Sequence, residues 1–268
     1  MMMIDQPQPL LTIITVAKEI TSPGFRDTAD SLAPLLTNHS TIEWLVVPGA
    51  EHRGDGPPPL WYGHGQVLPV QSDGIYAAMN AGLDHAQGQY VWFLNGGDTL
   101  TSLKTGQNML QCLRLQQPDF LYADSVELGL NGTDWYKPSQ PHHRCQYGMF
   151  THHQAMIYRR AVIGDERYAT RFEIAADYAF TLKHLQQAKR VTHLPEALCR
   201  FQPGGLSTQQ AARGRREQRA IRRALLGTPW MVDQSISLRQ GLSQQCRRWA
   251  PGVWSRLRQR AGHQTSLR

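Results

Sequence analysis

Cysteine is scarce in this chain. Four occur among 268 residues, and Cys112, Cys145, Cys199 and Cys246 form no CxxC pair. Such spacing leaves no need for a disulfide framework and points to a reducing cytoplasm. Charge is also low, at 18% against 41% hydrophobic residues, which excludes a disordered chain and supplies a packed core. Glycine (23) and proline (16) are at ordinary levels, so collagen-like and low-complexity readings fall. No apolar run approaches the ~20 residues that span a bilayer; residues 10–17 are the longest. The opening MMMIDQPQPL lacks the basic start and small-residue cleavage site of a secretory signal. There is no GxxxxGK(S/T) and no GxGxxG between a strand and a helix, so P-loop and dinucleotide readings have no support. His142, His143, Cys145, His152 and His153 cluster, but adjacent histidines in a strand point to opposite faces, and no HExxH is present, so no zinc site is expected.

What is present is unevenly distributed. Residues 208–268 carry 13 arginines, no lysine and two acids, Glu217 and Asp233. The net charge of +7 therefore belongs to this tail, and the first 207 residues are slightly acidic. A basic tail calls for an anionic partner, a nucleic acid or an acidic membrane surface. Within it Met231, Ser235, Leu238 and Leu242 fall at helical spacing. Trp249, Val253, Trp254 and Leu257 are interleaved with Arg247, Arg248, Arg256, Arg258 and Arg260. Trp beside Arg on short helices suits a bilayer interface, although the same helices can dock on the body with a solvated basic face.

The first half alternates strand-like runs with helical periods, an α/β pattern. LLTIITV at 10–16 predicts a strand buried on both faces, IEWLVV at 42–47 a second and residues 66–70 a short third. Helices are expected over 25–36, disturbed by Pro34, and after Asp73, where Ile75, Met79, Leu83 and Ala86 share one face. YVWFL at 90–94 is a buried strand ending in the turn Asn95-Gly96-Gly97-Asp98. A helix over 101–116, strands at 119–123 and 154–158 and a helix at 177–187 follow, with a composition boundary near 208.

Four carboxylates draw attention. Asp98 stands past a strand end, after two glycines that let backbone approach a ligand; ligands of open α/β sheets bind there, and a hard divalent cation on diphosphate oxygens needs such a group. Its alternative role is to cap the helix expected near 101. Asp73 and Asp177 each read as helix N-caps or as site residues, Asp177 then being a general base. Asp124 lies at the end of the strand expected over 119–123.

The order of these elements resembles the inverting family 2 glycosyltransferases with the GT-A fold, and most resembles the exopolysaccharide branch represented by colanic acid enzymes of enteric bacteria. The segments carrying the likeness are LLTIITV at 10–16, IEWLVVPG at 42–49, SDGIYAAMNAGLDHAQGQYVWFLNGGD at 72–98, HQAMIYRR at 153–160, AADYAF at 175–180 and GGLS at 204–207. The likeness implies an α/β fold with a single, mostly parallel sheet flanked by helices over residues 1–207. A nucleotide-sugar half would span about 10–125, an acceptor half about 126–207, and a helical basic extension 208–268. It implies that Asp98 holds a divalent cation, Mg²⁺ or Mn²⁺, on the donor diphosphate, and that Asp177 is the catalytic base. Asp73, Asn80, Asn95 and Gly97 would face the donor, Thr15 and Ala17 would border the nucleoside, and His153 and Gln154 would shape the acceptor side. The implied partners are a GDP- or UDP-sugar, with GDP-fucose nominated by the colanic acid likeness, and a lipid-linked saccharide acceptor. The anionic membrane surface would meet the 208–268 tail, placing the protein in the cytoplasm, peripheral to the inner face of the plasma membrane. No nucleic-acid partner is expected, because no binding fold precedes the tail and the body is acidic.

The sequence departs from that family in four places. Pro48 replaces the Asp that usually reads the nucleobase, and GAEHRGDG at 49–56 replaces the usual GGSTDGT, which implies base recognition by Glu51, by Asp55 or by backbone. Ala77 and Ala81 replace the usual Asp and Lys of the GIYDAMNKG element. These losses motivate a second reading, a nucleotide-sugar-binding protein with weak or no catalysis.

Overall fold

The structure is a computed structural model that describes residues 8–52, 65–71, 73–129, 134–202, 205 and 210–249, with side chains to residue 242. Four parallel strands form one half of a single sheet: β1 (Leu11–Ala17), β2 (Ile42–Pro48), β3 (Gln66–Val67) and β4 (Tyr90–Phe93), in the order β3-β2-β1-β4. Beyond β4 the sheet becomes mixed. β8 (Met156–Arg159) runs antiparallel to β4 and to β6 (Phe120–Leu128), β9 (Val191–Phe201) runs parallel to β6, and β5 (Thr99–Leu100) closes the edge against β9. β7 (Asp134–Lys137) pairs with β6. The parallel arrangement expected from the sequence thus belongs to the first half, and antiparallel pairing dominates the second.

Both faces of the sheet are covered, which is why its inner strands read as unbroken apolar runs. Along β1, Leu11 and Ile13 enter one core layer with α1 (Pro23–Asn38) and α3 (Leu103–Gln116). Ile14 and Val16 enter the other, with α2 (Ile75–His85) and α5 (Ala176–Gln187). A four-residue helix α4 (Arg160–Ile163) follows β8. α1 starts where Ser22 caps the Phe25 N–H and runs through Pro34. An internal proline costs about 3 kcal/mol, and burial of Leu32, Leu35 and Leu36 at about 1.5–3 kcal/mol each offsets it.

Several boundaries differ from expectation. The third strand is two residues long, and β6 continues five residues past Ala123, so Asp124 lies inside a strand. β5, β7 and β9 have no counterpart in the sequence reading. β9 contains Pro195, which sequence logic disfavours in a strand; the register passes from Ala123↔Leu194 to Asp124↔Ala197, so the proline falls in a bulge that needs no ladder N–H.

The tail forms a helical hairpin, α6 (Ala211–Leu226) and α7 (Trp230–Trp249), turned at Gly227. Ile221, with the half-buried Leu225 and Leu226, packs on Tyr178, Ala179 and Leu182 of α5. α7 faces inward through Asp233 and Ile236, and Arg222 and Asp233 form a fully buried ion pair at 2.7 Å. The stripe Met231, Leu238 and Leu242 points to solvent (77%, 65% and 52% exposed). The Trp/Arg segment from Arg247 onward lies outside the residues whose side chains are described.

Candidate functional site

The turn after β4 is held against the start of α1 and the end of β1. Gly96 donates its N–H to Val16 (2.9 Å), and a Cβ there would stand 2.7 Å from that of Ala17. Gly97 adopts φ +100°, a conformation that side chains resist. Thr28 accepts the Gly97 N–H (2.9 Å) and donates its hydroxyl to the Asp98 carbonyl (2.7 Å). These contacts leave the Asp98 carboxylate buried, accepting the Gln202 N–H (3.0 Å) from the residue just after β9, with the Gln154 side chain as second donor. Burial raises its pKa to about 7, against the pull of those two hydrogen bonds. The capping role is excluded: α3 is capped by Ser102, which accepts the Thr105 N–H at 3.1 Å.

The same turn carries a second oxygen. Asn95 Oδ1 is buried with no hydrogen-bond partner among the described residues. A buried carboxylate bonded to no described cationic side chain, and an amide oxygen three residues away, are oxygen donors of the kind a hard divalent cation takes. Among the described residues no group of three His, Cys, Asp or Glu side chains converges, so the protein alone offers a partial shell.

Asp177 occupies the first turn of α5, which starts one residue earlier after Ala175, so it is not the N-cap. Its Oδ1 accepts the Tyr178 N–H (2.8 Å) and, more weakly, the Tyr76 hydroxyl (3.3 Å). Burial lifts the carboxyl to about 6; these hydrogen bonds oppose the rise and the Glu217 charge adds to it.

A chain of contacts joins the two carboxylates. Gln154 bonds Asp98 through its side chain and accepts the Trp92 indole N–H on its carbonyl (2.8 Å). Its neighbour His153 meets the Tyr168 hydroxyl through Nε2 (2.8 Å), Tyr168 stacks on Tyr76 at 5.6 Å, and Tyr76 reaches Asp177. Burial drops His153 to about 4, so it is neutral, and its ring is packed between Phe93 and Tyr168. The structure therefore gives His153 and Gln154 bridging contacts between the carboxylates.

The other expected residues are placed less directly. Both ends of the Asn80 amide are engaged by the Tyr168 backbone: Nδ2 donates to its carbonyl (3.0 Å) and Oδ1 accepts its N–H (2.8 Å). Thr15 is fully buried, accepting the Trp44 indole N–H at 2.9 Å, while Ala17 lies at the end of β1 under Gly96. Asp73 is exposed beside Gly74, and Gly74, not Asp73, is the N-cap of α2. Asp124 is buried and bonded by Tyr136, Ser139 and His193. Burial raises its pKa, but the His193, Tyr136 and Ser139 bonds outweigh that and leave it lowered, as in a structural carboxylate. Pro48 ends β2, and beyond it Glu51 pairs with Lys18 (3.3 Å) and His52 with Glu19 (3.0 Å). Asp55 and residues 204, 206 and 207 lie outside the described residues.

Sequence reasoning missed Thr28, Tyr76, Tyr168, Gln202 and Glu217. Tyr76 and Tyr168 are aromatic residues with no motif around them that marks a polar role. Glu217 left a signal: it is one of only two acids in the arginine-rich tail.

No protein-family model matches the chain. A PGL/p-HBAD biosynthesis glycosyltransferase of Mycobacterium bovis (strain BCG / Pasteur 1173P2) is 28% identical over 133 residues, 48% of this chain and 51% of that protein. The chain spans about half the length of the curated relatives it matches. Among solved structures, S. aureus TarS 1-349 in complex with UDP aligns with TM-score 0.59 at 16% identity, over 90% of this chain and 72% of that one. The mannosyltransferase PcManGT from Pyrobaculum calidifontis, in complex with GDP-Man and Mn²⁺, aligns with TM-score 0.55 at 15% identity, over 87% and 65%. At such identities the likeness speaks for the fold, and the fold is of the GT-A type.

Proposed function

We propose that the chain is an inverting glycosyltransferase that moves a sugar from a nucleotide-diphospho-sugar to a hydroxyl of a saccharide acceptor. The observation that carries this reading is the pair Asp98 and Asp177. Each carboxyl is raised toward neutral pH by burial, and the two are tied together through Gln154, His153, Tyr168 and Tyr76. In a single displacement the acceptor oxygen attacks the anomeric carbon and loses its proton to a base. Asp177, ionised above pH about 6 and hydrogen-bonded in place by the Tyr178 N–H, suits that task. Asp98 and Asn95 Oδ1 would hold a divalent cation, which when bound neutralises charge on the departing nucleoside diphosphate. Gly96 and Gly97 keep that turn free of side chains where the donor would lie.

On the donor, the pairs Lys18–Glu51 and His52–Glu19 join the loops after β1 and β2, where a nucleobase would be read. TarS is recorded with UDP-GlcNAc and PcManGT with GDP-Man, so both nucleobases belong in the test, GDP-fucose included. We assign the acceptor to a lipid-linked saccharide of exopolysaccharide assembly, on the resemblance above and on the tail. A groove of about 400 Å³ between α6 and α7, lined by Arg215, Arg216, Arg219 and Ser237, has Leu238 of the exposed apolar stripe as part of its wall. That mixture suits the anionic inner face of a membrane. No helix among the described residues is long and apolar enough to cross one.

The deciding experiment screens UDP- and GDP-sugars for thermal stabilisation with and without Mn²⁺, then measures transfer with those that bind. Asp98→Ala should lose transfer together with the metal response. An unchanged metal titration in that variant refutes the cation role. Binding without transfer or hydrolysis favours the non-catalytic reading that Ala77 and Ala81 motivate.

A further inference from the structure

The N-terminus of α5 has no capping side chain of its own, since Ala175 fills the N-cap position. Its entry is held from a distant part of the chain. Glu217 on α6 accepts the Ile174 N–H (2.9 Å) and the Ala175 N–H (3.0 Å) on Oε2, and the Glu173 N–H (3.2 Å) on Oε1. Arg213, one turn earlier on α6, donates to Glu217 Oε1 (3.1 Å) and pairs with Glu173. The contact is close throughout: a Cβ added to Gly214 would stand 2.9 Å from Ile174 Cγ2. Ile174 is gripped from both sides, because its carbonyl accepts the Tyr76 hydroxyl at 2.7 Å. That hydroxyl has one proton, shared between Ile174 and Asp177.

We infer that Glu217 is a positioning residue for the base. Its carboxylate fixes the backbone from which Asp177 projects, and so makes the C-terminal hairpin a working part of the catalytic centre. This inference rests on the assignment of Asp177 as base. A helix start carries partial positive charge on unpaired N–H groups, and a carboxylate placed there is favoured electrostatically as well as by hydrogen bonding. The titratable and charged groups around Asp177 are Tyr76 on α2, Tyr158 on β8, Tyr168 and Glu173 ahead of α5, Tyr178 on α5 itself, and Glu217 and Arg213 on α6. Burial raises all four tyrosines, so they are neutral at working pH, and Glu217 is the negative charge that acts on Asp177.

The test compares Glu217→Gln and Glu217→Ala with wild type, reading kcat, donor KM, the pH profile and the Asp177 carboxyl titration by NMR. Glu217→Ala should lower kcat about 10- to 100-fold, the scale of a misplaced catalytic group, with donor KM unchanged. Glu217→Gln keeps the shape and removes the charge, so the Asp177 titration and the acid limb of kcat should both move to lower pH. A residue that only stabilised the fold would lower the melting temperature and leave that midpoint in place. Wild-type kcat and an unmoved midpoint in folded Glu217→Gln overturn the inference, and the same variant decides the matter if Glu217→Ala does not fold. The reading beneath it fails separately, if Asp177→Asn retains wild-type turnover.

Discussion

Asp98 and Asp177 begin with the same chemistry and the same disadvantage, a carboxyl taken out of water, but their surroundings differ. Asp98 is held by the backbone N–H of Gln202 and the side chain of Gln154, neither carrying charge. Asp177 is held by one backbone N–H and part of a tyrosine proton, with a second carboxylate nearby. Its pKa of about 6 has a consequence for stability with a definite sign. Between the ordinary value near 4 and about 6, the unfolded chain has ionised while the folded one retains its proton. The folded state therefore binds more protons, and stability falls as pH rises through that window. Above pH 6 the whole cost is present, about 1–3 kcal/mol at roughly 1.4 kcal/mol per unit, reduced for partial solvent access. Asp177→Asn keeps an oxygen for the Tyr178 N–H and removes the charge. It should melt higher than wild type at pH 8, with the advantage shrinking toward pH 4, while turnover falls by about 10²–10⁴. A variant that melts lower at pH 8 contradicts the burial argument, even if its activity is lost.

At the scale of elements, the link between α2 and the segment before α5 is one amide. Asn80 closes two hydrogen bonds on the Tyr168 backbone, and Tyr168 in turn fixes His153 and stacks on Tyr76. Removing both should cost about 1–3 kcal/mol, at 0.5–1.5 kcal/mol each. Asn80→Ala is expected to lower the urea midpoint by that free energy divided by the m-value, which should stay unchanged. Asn80→Asp, which retains the acceptor and loses the donor, should fall between it and wild type. Equal midpoints for all three would show the clamp to be idle. The strands β1, β2, β4 and β8 were legible because burial on both faces writes continuous apolar runs. β9 was not, because Pro195 and the alternation of Glu196 and Arg200 with apolar residues obey a bulged strand at the sheet's far side, a tertiary circumstance. Yet the residue after β9 supplies the N–H that holds Asp98. The carboxylates themselves could be read from position relative to strand and helix ends, whereas Tyr76, Tyr168 and Glu217 acquire a role only when residues 42 to 101 positions apart are brought together.

Across the molecule, charge is unevenly placed, with the basic excess in the tail. In the tail the two acids are spent inward: Glu217 on the start of α5, Asp233 on Arg219, Arg222 and Arg223. Glu217 thereby fastens the hairpin to the body, and among the described residues Arg216 and Arg239 are exposed on the helices that carry the exposed apolar side chains Met231, Leu238 and Leu242. Arg219 lines the same groove but is committed to Asp233, so its loss would disturb the hairpin and confuse any binding measurement. Arg216 on α6 lines the groove with Leu238, Arg239 follows Leu238 on α7, and both are exposed and outside the contacts described above that fasten the hairpin. Each basic side chain near an anionic leaflet contributes about 1 kcal/mol. The double variant Arg216→Gln/Arg239→Gln should therefore bind phosphatidylglycerol-containing vesicles roughly 30-fold more weakly at low salt. Its melting temperature should stay within a degree or two of wild type. Replacing Met231, Leu238 and Leu242 by Ser should weaken binding to the same vesicles in a manner that salt does not reproduce, since apolar insertion is unscreened. Binding that is equal on neutral and anionic vesicles, or that survives both sets of substitutions, would move the membrane contact elsewhere, while leaving the Glu217 and Asp177 assignments to stand on their own measurements.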